Sequence, residues 1–121
     1  MLVKKIKYTD YNDVERNETF YFNLSKPELI ELQASQEGGL SEYINKIAEE
    51  QDMKKIIEFF KTIINLSYGC KSADGKRFIK SEELTEAFMQ SEAYTELFME
   101  LSTNAEAAAE FVNGIVPKDL K

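Results

Sequence analysis

The hydrophobic period of the chain changes once, near residue 25, and this change constrains the fold more than any other feature. Before it, residues alternate with the period of two expected of a strand, most clearly where Phe20 and Phe22 share one face. After it, the apolar spacing is helical. The sequence therefore predicts a mainly α fold, with an N-terminal β-hairpin followed by a compact bundle of about five helices.

The predicted hairpin joins a strand over about residues 2–10 to a strand over 14–24. Tyr11–Asp13 supplies the turn, since Asn and Asp tolerate left-handed backbone angles. A lone hairpin is marginal in water, so we expect its apolar face to pack on the helices or to pair with another chain. The sequence leaves both open.

Caps and stop signals set the bounds of the predicted helices. Ser25 and Glu28 form a capping box, Gly69 is interpreted as a stop, and Ser91 is a point where one helix can break. The first predicted helix runs from Ser25 to before Gly38, and the second covers about Leu40–Gln51. Asp52 caps the third predicted helix, Met53–Tyr68. The last two cover Ser81–Leu101 and Asn104–Asn113.

The helix over residues 53–68 carries the strongest apolar pattern. Its apolar side chains cover an arc of roughly 200° at the helical period. An arc this wide predicts a central core helix that is buried on several sides, and a groove for a partner is the alternative.

We expect one domain over residues 1–121, a length that can bury an adequate core. Its parts are the hairpin (1–24), a helical core (25–69), a basic loop (70–80) and acidic C-terminal helices (81–121). The N-terminus enters the strand pattern without the apolar block of a signal peptide, and no apolar run is long enough to cross a bilayer. The single cysteine, Cys70, fits a reducing cytoplasm.

Missing residue types exclude much chemistry. The chain has no histidine, so it lacks Ser-His and Cys-His nucleophiles and imidazole metal ligands. Asp74-Gly75 faintly resembles a calcium loop, but loop positions one and twelve would fall on Cys70 and Ser81, so the first carboxylate and the bidentate glutamate are missing. We expect no enzymatic activity, no cofactor and no metal site.

The distribution of charge favours a protein partner. The net charge is −7, and residues 81–117 hold eight glutamates and no lysine or arginine. Phosphate neutralisation needs the opposite balance, so nucleic acid is not an expected partner. Self-association, a protein partner, or a solvated acidic face without a partner all fit this pattern.

Several segments resemble the small tail assembly chaperones of long-tailed (siphovirus-type) bacteriophages. The resemblance lies in the order and texture of nearly the whole chain and includes no catalytic signature. The segments that carry it are residues 5–11, 15–16, 20–25, 67–69, 74–81 and 111–117.

The resemblance implies a mostly helical, non-enzymatic protein of the host bacterial cytoplasm. Members of this family bind the long helical tape measure protein, keep it soluble, and help tail tube subunits polymerise around it before release. They can self-associate, and their genes often encode a frameshifted longer form.

The acidic 81–117 segment is our expected partner-binding face, because apolar contacts there can hold an apolar helical partner. Its predicted contact residues are Phe88, Met89, Leu97, Phe98 and Met99. If the helix over 81–101 is continuous, Met89 lies on its glutamate-rich side, whereas a break at Ser91 buries Met89. The alternative function is an acidic phage inhibitor that mimics DNA and binds a host nucleic-acid-binding protein.

Overall fold

The computed structural model describes residues 1–34, 46, 49–50 and 53–117. The expected end of the first helix before Gly38, the expected helix over about residues 40–51 and the expected cap at Asp52 lie outside or largely outside them.

The N-terminal hairpin is confirmed. Strand β1 (Leu2–Thr9) pairs antiparallel with β2 (Glu15–Phe22), and Leu2 lies opposite Phe22. The burial of β1 follows the predicted period of two, since alternate residues of the strand face the helices. The hairpin therefore presents one apolar face to the rest of the molecule.

Polar side chains close the hairpin turn, as the sequence predicts. The Asp10 carboxylate accepts hydrogen bonds from the backbone N–H groups of Asn12 (2.8 Å) and Val14 (3.0 Å). Asp13 adopts a positive φ of 60°, a backbone angle that Asp tolerates better than most residues.

The sheet is larger than the predicted hairpin. Strands β3 (Tyr68–Lys71) and β4 (Phe78–Ile79) extend it to four antiparallel strands in the order β1-β2-β3-β4. The helix over residues 53–67 ends just before Gly69, as predicted, but Gly69 itself lies in β3. Within the basic loop over 70–80, the predicted short extended piece near Phe78 is strand β4. Strand β3 forms because Gly69 pairs with Tyr21, a tertiary contact that four residues of local pattern cannot reveal.

The structure describes five helices, and the predicted caps at Ser25, Ser81 and Asn104 are confirmed. The side-chain oxygens of Ser25, Ser81 and Asn104 each accept a hydrogen bond from a backbone N–H three residues on. The helices are α1 (Lys26–Ala34), α2 (Met53–Ser67), α3 (Glu82–Met89), α4 (Glu92–Thr103) and α5 (Ala105–Ile115).

Ser91 breaks the long acidic helix in two, which is one of the two alternatives that the sequence leaves open. Its hydroxyl donates a hydrogen bond to the carbonyl of Phe88 (2.6 Å) and accepts one from the N–H of Tyr94 (3.4 Å). The same side chain thus ends α3 and begins α4. The break resets which residues of α4 face the core.

The helices lie against the sheet instead of forming a separate bundle. Helix α4 packs on β1, and α2 packs on α4. The mainly α prediction therefore holds only roughly, because the hairpin is half of a sheet that shares its core with the helices. The buried core residues are Ile6, Phe22, Leu24, Leu29, Phe59, Ile63, Ile64, Phe88, Ala93, Leu97, Leu101, Phe111 and Ile115.

Helix α5 runs two residues beyond its predicted end at Asn113 and includes Gly114. Ile115 is fully buried, and its carbonyl accepts a hydrogen bond from the N–H of Leu24 (3.0 Å). The short apolar segment after Asn113 therefore docks on the body of the protein.

Replacing Gly69 with alanine should destabilise the fold. An added Cβ would lie 2.6 Å from the backbone oxygen of Ile79 and 2.6 Å from the Phe78 ring. The backbone cannot yield cheaply, so we expect the free energy of unfolding in urea to fall by about 1–3 kcal/mol.

Gly114→Ala is the matched control. Its Cβ would meet mainly the flexible side chain of Leu2, at 2.8 Å from Cδ1, and alanine gains about 0.8–1 kcal/mol of helix propensity over glycine. Equal losses of stability in the two variants would contradict this account of Gly69.

Candidate protein-binding surface

The acidic stretch over residues 81–117 forms α3, α4 and α5, and seven of its eight glutamates are exposed. The remaining one, Glu92, accepts a hydrogen bond from the Tyr11 hydroxyl (2.7 Å). Glu100 forms an ion pair with Lys4 of β1 (2.9 Å). These two contacts join the helices to the hairpin, and the other glutamates give the helices an acidic outer surface.

Phe88 lies in the core and not on a binding face. Its side chain is only 3% exposed. The ring stacks on Tyr68 at 4.3 Å between centroids, and the edges of Phe22 (5.8 Å) and Tyr94 (5.7 Å) meet it. The predicted contact residue Phe88 is therefore buried, because the four aromatic rings of Phe20, Phe22, Tyr68 and Tyr94 already surround it.

Leu97 is also a core residue, with 0% of its surface exposed. The break at Ser91 aligns Ala93, Leu97 and Leu101 on the buried face of α4. A continuous helix would have placed Leu97 near the margin of that face, so the position of the break decides its burial.

The other three predicted contact residues differ in exposure. Met89 and Phe98 are partly buried, and the Phe98 ring lies 6.0 Å from that of Tyr94. Met99 is 53% exposed and follows Glu96 on the outer side of α4. Of the large apolar residues in α3, α4 and α5, Met99 is therefore the exposed one. The cap at Ser91 was the sequence signal for this placement, since it fixes the register of α4.

Helix α2 is buried on one side only. Phe59, Ile63 and Ile64 lie in the core. Met53 and Ile57, one turn apart, are 59% and 43% exposed. The prediction of a helix buried on several sides is therefore too broad. Met53 and Ile57 form an exposed apolar pair on α2, and Leu66 of α2 and Ile30 of α1 are exposed as well.

The basic loop is held to α1 by an ion pair. Lys80 Nζ donates to both carboxylate oxygens of Glu28 at 2.7 Å. Partial burial by itself raises the pKa of Glu28, but the hydrogen bonds from Lys80 and from the N–H of Ser25, together with the charge of Lys80, outweigh burial and lower that pKa. The ionised pair therefore favours the folded state.

The described residues contain no group of three or more carboxylate or cysteine side chains placed to hold a metal ion. Asp74, in the loop that faintly resembles a calcium site, accepts hydrogen bonds from the Ser72 hydroxyl (2.7 Å) and the N–H of Lys76 (3.0 Å). These bonds, the one from Ser72 foremost, lower the pKa of Asp74. This carboxylate therefore stabilises the turn.

Within the described ranges, no helix is both long enough and apolar enough to cross a membrane.

The fold and surface define a small acidic protein in which helices pack on a four-stranded sheet and carry single exposed apolar residues. All of residues 1–121 match the family model described as phage tail assembly chaperone. The chain belongs to the phage tail assembly chaperone family. Searches of curated proteins and of solved structures returned no match.

Removing the Lys80 ammonium should produce a pH-dependent loss of stability. The pKa of Glu28 is lowered in the folded state, so its ionised form stabilises the fold. The loss of stability in Lys80→Met is therefore expected to be largest above the ordinary pKa of 4.5. It should disappear as the pH falls through the folded-state pKa. Urea unfolding at about pH 7 and about pH 3 measures it. Lys76→Met, at an exposed lysine of the same loop, is the control. A difference that stays constant with pH would assign the effect to packing.

Alanine at Leu97 and at Met99 should separate core from surface. Leu97→Ala is expected to lower the free energy of unfolding by about 2–5 kcal/mol, because it leaves a cavity. Met99→Ala is expected to stay within about 0.5 kcal/mol. Urea unfolding followed by circular dichroism makes the comparison. A loss at Met99 as large as that at Leu97 would place Met99 in the core.

Proposed function

We propose that this chain is a non-enzymatic chaperone of the host bacterial cytoplasm that binds the tape measure protein and helps the tail tube to assemble. The observation that carries the proposal is the match of the whole chain to the tail assembly chaperone family. The described structure supplies a surface that suits this role.

The proposed contact surface centres on Met99. An exposed methionine is a soft, adaptable contact for the apolar stripe of a helical partner. Met89 and Phe98 are partly buried residues of α3 and α4 that can add contact area. Phe88 and Leu97 act from the core by holding these two helices in place.

The acidic surface fits the same role. A net charge of −7 opposes aggregation of a complex that contains an apolar partner. Single exposed apolar residues bury little area, and a small contact area favours affinities that permit release during assembly. Binding through Met99 therefore agrees with a chaperone that leaves the finished tail.

A charge at Met99 should weaken capture of the tape measure protein. We expect Met99→Glu to bind about tenfold more weakly than wild type, because a carboxylate must then be desolvated at the apolar contact. The measurement is co-purification after co-expression with the very long helical protein encoded downstream. Ala109→Glu adds the same charge at an exposed position of α5 and is the matched control.

Circular dichroism must show that both variants keep the wild-type fold. Unchanged capture by Met99→Glu would show that Met99 does not belong to the contact surface. The double variant Met53→Glu/Ile57→Glu then tests the exposed apolar pair on α2. If wild type captures no tape measure protein but competes with DNA for a host restriction enzyme, the function is that of an inhibitor.

A further inference from the structure

Strand β1 is an edge of the sheet, and no described strand pairs with its outer side. The N–H of Asp10 donates to the carbonyl of Val14, which lies opposite it in the register of the hairpin. In an antiparallel pair such bonds fall on every second residue. The even-numbered residues of β1 therefore bond to β2, and the N–H and C=O groups of Val3, Lys5, Lys7 and Thr9 point outward from the sheet edge.

The side chains of these same residues lie on the outer face of the sheet and are exposed. Lys4, by contrast, lies on the helix side and pairs with Glu100. Val3 lies opposite Tyr21 of β2. The free edge thus presents one apolar residue followed by two lysines at alternate positions.

A second copy of β1 does not fit this edge. Because the odd-numbered residues point outward on both copies, the central antiparallel registers are the three in which the numbers of opposed residues sum to 8, 10 or 12. Each of them places a lysine of one strand directly opposite a lysine of the other, chosen from Lys4, Lys5 and Lys7. Like charges directly opposite each other destabilise a strand pair, so the edge discriminates against its own copy.

We propose that the free edge of β1 binds an extended acidic segment of another protein as a fifth strand. The backbone groups of Val3, Lys5 and Lys7 supply the hydrogen bonds, as in other cases of β-strand addition. The bound segment carries an apolar residue opposite Val3 and carboxylates opposite the two lysines. This site uses an extended partner and is independent of the helical contact at Met99.

The probe is a fluorescent peptide of about ten residues in which consecutive alternate positions carry two glutamates and a valine, to lie opposite Lys7, Lys5 and Val3, with threonine at the positions between them. Titration of the full chain should raise the anisotropy of this peptide. Matched peptides with glutamine or lysine in place of glutamate should bind roughly fivefold or more weakly, because two cross-strand charge pairs are lost. Added salt should weaken binding of the glutamate peptide most.

Amide hydrogen exchange locates the bound peptide. The amides of Lys5 and Lys7 point to the free edge and should become protected when the glutamate peptide binds, whereas those of Lys4 and Ile6 already bond to β2 and should change little. Protection elsewhere, with none at Lys5 and Lys7, would overturn the proposal.

Charge reversal tests the specificity. Lys5→Glu/Lys7→Glu should invert the preference, so that the lysine peptide binds best. Lys54→Glu/Lys61→Glu makes the same change of charge on exposed positions of α2 and should leave the preference intact. Failure of all three peptides to bind wild type would show that the lysines only protect the edge, and dimerisation of the chain through β1 would also contradict the proposal.

Discussion

The stack of Tyr68 on Phe88 is the contact on which the rest of the structure depends. Tyr68 begins β3 directly after α2, Phe88 belongs to α3, and Phe22 of β2 meets both rings at 5.8 Å. Burial raises the pKa of Tyr68 to about 12, so its hydroxyl stays neutral and the cluster holds no charge. Phe88 is the penultimate residue of α3. Ser91, bonded to the carbonyl of Phe88, then sets the register of α4 and turns Met99 outward.

The sequence predicted those elements that contacts between residues close together in the chain determine. The hairpin, the capping box at Ser25 and the caps at Ser81 and Asn104 depend on residues within a few positions of one another. Strand β3 and the burial of Phe88 depend on distant partners. The pairing of Gly69 with Tyr21 joins two separate parts of the chain, and the burial of Leu97 follows from a break whose two outcomes the sequence left open. Of the five predicted contact residues, Met99 is the one that is exposed, whereas the other four are buried or partly buried.

The two proposed binding surfaces differ in their chemistry. The outer helices are acidic, and the proposed contact at Met99 depends on burial of side-chain area, which salt affects little. The edge of β1 is basic, and the proposed strand addition depends on backbone hydrogen bonds with charges beside them, which salt screens. The ion pair between Lys4 and Glu100 joins these two regions in one folded unit.

The contacts of α5 also decide when folding can finish during synthesis. Phe111 meets Phe22 at 5.2 Å, and Ile115 receives the backbone hydrogen bond of Leu24. These pairs close a loop that spans most of the polypeptide. The entropic cost of closing a long loop grows only with the logarithm of its length, so the penalty is modest but the closure is late. A ribosome that has not yet released residues 105–115 therefore holds a nascent chain in which Phe22 still lacks its contact with Phe111.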